Sequence, residues 1–134
     1  MKCLLPLLLC AACGGGPHLS SLRCRDAKAC QGVENPLELL LAVDFDDSSG
    51  TLDKGTLNLR VDGQTQQQLS MAGLFAAQQI AAGTQKGSLQ FANDMLLEQM
   101  TQGQKVHVSV KAVNGQGDDS NEPNLDFALH LGAP

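Results

Sequence analysis

Leu37, Leu39, Leu41, Val43 and Phe45 alternate with Glu38, Leu40, Ala42 and Asp44, a period of two that a helix cannot bury on one face. The pattern predicts a strand with a core side and an outer side. It returns at Leu57, Leu59 and Val61, where Asn58 and Arg60 face outward and Asp62-Gly63 supplies a turn pair. It returns again at Val106, Val108, Val110 and Ala112, and at Leu125, Phe127, Leu129 and Leu131 with Asp126 and His130 outward. Leu89 and Phe91 predict a shorter strand, and the polar stretch Asn114 to Asn124 reads as a hairpin loop. With 134 residues there is room for one core, so the expectation is an all-β, antiparallel β-sandwich. Its middle reads less simply. Gln64 to Gln68 reads as a solvated loop, the apolar, Ala-containing Leu74 to Ala82 leaves a short helix open, and Asp94 to Gln102 reads as one helical turn or a crossover.

The first residues follow another logic. Met1-Lys2 precedes the apolar run Leu4-Leu5-Pro6-Leu7-Leu8-Leu9, then small residues and Gly14-Gly15-Gly16, which are the parts of a secretory signal. The run is far shorter than the roughly 20 residues a membrane-crossing helix needs. Ala11-Ala12-Cys13 resembles the lipobox of bacterial lipoproteins, with the departure that Cys10 stands where that family favours Leu. The resemblance implies a signal peptide over residues 1–12 and acyl chains, palmitate among them, on Cys13 as the mature N-terminus. With Gly14 rather than an acidic residue next, it also implies transfer to the outer membrane. Ordinary signal cleavage nearby, releasing a soluble secreted protein, is the alternative.

Cleavage before Cys13 would remove Cys3 and Cys10 and leave Cys24 and Cys30 as a pair. In an oxidising compartment they would close a small loop as a disulfide; reduced, they would be two free thiols. Their spacing matches no zinc pattern. Residues 13–34, with Gly, Pro, Ser and this pair but no sustained period, read as a tether, and residues 35–134 as the domain.

The strand ending Asp44-Phe45-Asp46-Asp47-Ser48-Ser49-Gly50, the strand Thr56 to Gly63, and the late hairpin through Gly115-Gln116-Gly117-Asp118-Asp119-Ser120-Asn121 together resemble bacterial immunoglobulin-like envelope domains. That resemblance implies an immunoglobulin-like sandwich in which both acidic loops emerge at one end. Asp44, Asp46, Asp47 and Asp53 lie by the first loop, and Asp118, Asp119 and Glu122 in the second, seven of the chain's fourteen acids. Carboxylates gathered there, Asp44, Asp46, Asp47, Asp118 and Asp119 above all, would suit Ca²⁺, which takes six to eight oxygens. Asp and Gly are also what turns require. Measured against the standard calcium loop, Asp46 and Ser48 fall in register, Gly50 comes one place late and Gly55 replaces the bidentate Glu.

Several function classes fall away. A net charge of −5 gives no footprint for gripping phosphates, so nucleic acid is not an expected partner, and the absence of Trp and Tyr removes stacking platforms. No nucleophile motif or phosphate-cradling loop is present, and His18, His107 and His130 read as surface residues, the last two on outward faces of neighbouring strands. The expectation is a non-enzymatic binding or structural module, lipid-anchored at the cell envelope and meeting an envelope protein. A Ca²⁺-stabilised adhesive domain, or an accessory subunit of an envelope enzyme, are the alternatives.

Overall fold

The structure, a computed structural model, describes residues 16–26, 30–32, 34–62, 64–95 and 101–131. The signal peptide, Cys13 and residues 96–100 of the expected helical turn lie outside them. The described strands are β1 (His18–Cys24), β2 (Glu38–Asp46), β3 (Thr56–Val61), β4 (Gln64–Ser70), β5 (Lys86–Asp94), β6 (Lys105–Val113) and β7 (Asn124–Ala128), with a single-turn 3-10 segment Leu52–Lys54 and one short helix, α1 (Met71–Ala77). They form two antiparallel sheets, ordered β1-β2-β5 and β4-β3-β6-β7. Chain neighbours β1 and β2, β3 and β4, and β6 and β7 pair, while the other connections cross between sheets. This is the antiparallel β-sandwich that the alternation implied, in the immunoglobulin-like arrangement that the resemblance implied, with β2, β3, β5, β6 and β7 as its predicted runs.

The inner faces explain the pairing. Leu39, Leu41, Val43 and Phe45 of β2 and Leu89 and Phe91 of β5 meet Leu57, Leu59 and Val61 of β3 and Val106, Val108, Val110 and Ala112 of β6 in one buried cluster. Burying each such side chain stabilises by about 1.5–3 kcal/mol, so this layer decides the fold. Helix α1 does not: its seven residues fall short of the roughly 12 that an isolated helix needs. It forms because Ser70 caps it, accepting from the Gly73 N–H, and because Met71 and Phe75 are buried in the core. None of the described helices is long and apolar enough to cross a membrane.

Two expectations are corrected. Residues 13–34 are not all tether, since His18–Cys24 form β1, with Leu19 buried at 1% exposure. A bulge between Ser20 and Arg23, where Ser21 takes φ 53°, shifts the inward positions from Leu19 to Leu22 and Cys24 and breaks the period. Gln64 to Gln68 are not a loop but the start of β4, an edge strand. An edge has one unpaired side, and the polar Gln67 and Gln68 are exposed.

Side-chain amides complete the open edges. Gln78 donates to the Gln90 carbonyl at 2.8 Å and accepts from its N–H at 2.7 Å, standing in for one peptide group of a strand beside β5. Asn121 does the same for Leu19 of β1, accepting at 2.7 Å and donating at 2.8 Å. Gln31 pairs with the His130 N–H and carbonyl, both at 2.8 Å. Each satisfies two backbone groups that would otherwise be left without a partner.

Cys24 and Cys30 are joined as a disulfide with Cα atoms 4.4 Å apart. Cys30 is buried against the core and its carbonyl accepts from the Leu40 N–H, so the bridge staples the end of β1 to β2. Closing so short a loop removes about 2 kcal/mol of unfolded-state entropy. Replacing both cysteines with Ser is therefore expected to lower the free energy of unfolding by about that amount while leaving a cooperative transition. Urea unfolding measures it, and a non-cooperative melt would contradict a staple added to an otherwise self-sufficient core.

Candidate functional site

Three loops meet at the end of the sandwich where β2 finishes. The 47–55 loop leaves β2, the 114–123 loop joins β6 to β7, and residues 81–85 lead into β5. Asp47 is the hinge. Its N–H donates to the Gln85 carbonyl at 2.7 Å, and its carboxylate, 1% exposed, turns inward. There it accepts from the Ser49 N–H at 3.2 Å, the Ser49 hydroxyl at 2.9 and 3.0 Å, and the Asn114 amide at 3.4 and 3.3 Å. A buried carboxylate persists only when donors surround it, and these come from two loops.

Asn114, itself buried, uses its other half on the hairpin loop. Its Oδ1 accepts from the N–H groups of Gln116 and Asp118, both at 3.0 Å, while Gly117, at φ 84°, donates its N–H to the Asn114 carbonyl. The Gly115 N–H reaches the Thr51 carbonyl at 2.9 Å. The third loop is tied in by Gln85, which donates to the Ser48 carbonyl at 3.1 Å, and by Asp53, which accepts from the Gly83 N–H at 3.3 Å.

The two acidic loops thus do emerge together, as the resemblance implied. Their carboxylates disperse onto separate partners. Asp44 accepts from Ser88 at 2.6 Å and lies 3.2 Å from Arg23; Asp46 lies 3.6 Å from Lys86; Asp119 lies 3.4 Å from Lys111. Glu122 takes Ser109 at 2.8 Å and Arg60 at 3.6 Å. Asp118 contributes backbone, its carbonyl accepting from the Asn114 N–H. Among the described residues, no three His, Cys, Asp or Glu side chains converge in a way that would hold a metal ion.

The histidines separate. His107 faces Asp126 across β6 and β7 and pairs with it, while His130 contacts Gln102 at 3.1 Å. His18 is exposed at the start of β1. The residue that sequence reasoning passed over is Asn114, which organises both loops. Its signal was the Asn114-Gly115 pair directly after an alternating strand, a position where a side chain can bond to the backbone two residues on.

One carboxyl is electrostatically set. The Ser88 hydroxyl holds Asp44 below its ordinary value of 3.8, outweighing the opposing effect of desolvation, and Arg23 adds smaller pulls in the same direction as Ser88. A depressed folded value contributes stability above the ordinary value and loses it as pH falls through the folded one. Ser88→Ala is expected to raise the Asp44 pKa and shrink that acid-side loss. Carboxyl NMR titration reads it directly; an unmoved Asp44 would show that Ser88 is not the controlling donor.

No family model matches the chain, and no curated protein matches it. Among solved structures it is similar to fibronectin(III)-like modules of Clostridium thermocellum CbhA, at 14% identity and a TM-score of 0.48. The match covers 87% of this chain and 46% of the other, so the chain spans about half the length of its match. The sandwich assignment itself rests on strand order and register.

Proposed function

We propose that the chain is exported, cleaved before Cys13 and held by acyl chains on that residue at the cell envelope, in the outer membrane, where its sandwich is a non-enzymatic binding or structural module. The observation that carries this reading is Ala11-Ala12-Cys13 behind a short apolar run. The Cys24–Cys30 bridge supports it, because such bonds persist in oxidising compartments outside the cytosol. The non-enzymatic part is supported by the candidate site, whose acids engage cations and turn donors. A single acyl chain binds membranes only marginally, so more than one is expected on Cys13. Intact mass of the protein extracted from envelopes tests the anchor, and an unmodified mature N-terminus overturns it. Fractionation of the two membranes tests the address.

The Ca²⁺-stabilised alternative is decided by melting. If the acidic loops bind the ion, Ca²⁺ at a hundredfold excess over its Kd adds about 2.7 kcal/mol of stability. A melting curve unmoved by millimolar Ca²⁺ overturns that alternative.

A further inference from the structure

We infer that the three-loop end, residues 47–55, 81–85 and 115–119, is the face held against the lipid surface, and that the opposite end, with Asn35 and Thr101, is turned outward. This rests on the acylation of Cys13 proposed above, and adds which way the domain points. The chain enters the fold at the loop end. His18 pairs with Asp46, the last residue of β2, and Pro17 is buried. Gly16 lies so close to the hairpin loop that a Cβ placed on it would sit 2.3 Å from the Asp119 carbonyl oxygen and 3.1 Å from the Asp118 Cβ. Gly16 is therefore part of the loop end, three residues after Cys13.

Chain length then sets the reach. Three peptide steps separate Cys13 from Gly16, which fully extended span at most about 11 Å. β2, nine residues long, carries the fold roughly 27 Å from the loop end to the far end. An anchor shorter than half the length of the body it holds cannot let the far end take the near end's place at the surface without crowding the domain into the headgroups. The far end carries the β1–β2 staple, the Gln31–His130 pair and the turn at Thr101 to Gln104. It is the end a soluble or opposing-membrane partner meets first.

The test uses the full processed chain in phosphatidylcholine vesicles containing a lipid with a headgroup quencher. Single cysteines Gln116→Cys, at the loop end, and Thr101→Cys, at the far end, carry a fluorophore; Cys24 and Cys30 are bonded to each other and do not react. Both positions are exposed. Quenching is expected to be severalfold stronger at 116 than at 101. A spacer of roughly ten Gly and Ser residues inserted after Gly14 is expected to erase that contrast, because its flexible reach exceeds the native tether's. Equal or reversed quenching on protein whose mass shows acylated Cys13 overturns the orientation while leaving the anchor standing. A contrast that survives the spacer overturns the tether as its cause. An unmodified Cys13 fails the anchor reading itself, which the mass measures separately.

Discussion

Gly55→Ala is expected to destabilise the domain by about 3 kcal/mol or more, a larger loss than its single methyl group suggests. Gly55 follows the Leu52–Lys54 turn and leads into β3, where Thr56 pairs with Val113. A Cβ there would lie 1.7 Å from the Val113 carbonyl oxygen and 2.7 Å from its carbon. Those are backbone atoms of a paired strand, so relief requires β3 and β6 to part where the 47–55 loop meets Asn114. Its φ of −108° is open to any residue, which makes packing alone the obstacle. The same change at Gly73, inside α1, meets nothing closer than 3.9 Å and is expected to stabilise by about 0.5–1 kcal/mol, because glycine is costly in a helix. Thermal melts of the two variants should move in opposite directions, the first by roughly 10 °C or more. A Gly55→Ala protein melting like the parent would mean that the two strands do not approach this closely.

The second large effect is expected from Asn114→Asp. The change is nearly isosteric, yet it replaces an amide donating to the Asp47 carboxylate at 3.3 Å with a second carboxylate. Two negative charges would then face each other in a buried site that has lost a donor, at a cost of about 3–5 kcal/mol at neutral pH. Repulsion raises the pKa of the introduced carboxyl in the folded state. The sign follows: the penalty is full above that raised value and fades as pH falls towards the ordinary carboxylate range, where the introduced group is protonated and donates as the amide did. The parent should show no such recovery on acidification. Chemical denaturation at neutral and mildly acidic pH measures the difference. Pairing the change with Asp47→Asn exchanges the two groups and should restore much of the loss, whereas an equally unstable double variant would place the damage in the hairpin loop instead.

Five of the described strands were legible because their inward positions keep a period of two, unbroken in β2, β3, β6 and β7 and short but sufficient at Leu89 and Phe91 of β5. β1 was hidden by one residue: the bulge at Ser21 moves the inward register from Leu19 to Leu22, and no fixed period spans it. β4 was hidden because an edge strand needs little apolar surface, so its glutamines looked like a loop. At the candidate site, the immunoglobulin-like resemblance implied that the acidic loops would meet, and they do. What each acid does there was not legible. Asp46 meets Lys86, forty residues on, only because β2 and β5 take one register, and a slip of a single residue would separate them. Asp47 and Asp46 are adjacent and identical in type, yet one is buried and the other exposed, a difference decided by where β2 ends.

The staple between Cys24 and Cys30 has a mechanical consequence. A pull on the chain at Gly16 loads the first pairs of β1, beginning at His18 with Asp46, and opens them in sequence, releasing Asn121 from Leu19 on the way. Peeling proceeds along the strand only to Cys24, where a covalent bond to the buried Cys30 stops it. The chain freed by then, eight peptide steps from Gly16 to Cys24 at up to about 3.6 Å each, is at most roughly 29 Å long. Beyond that point force passes through sulfur into the core between the sheets, and the remaining strands stay paired under a load that would have unravelled an unstapled domain from its first residue.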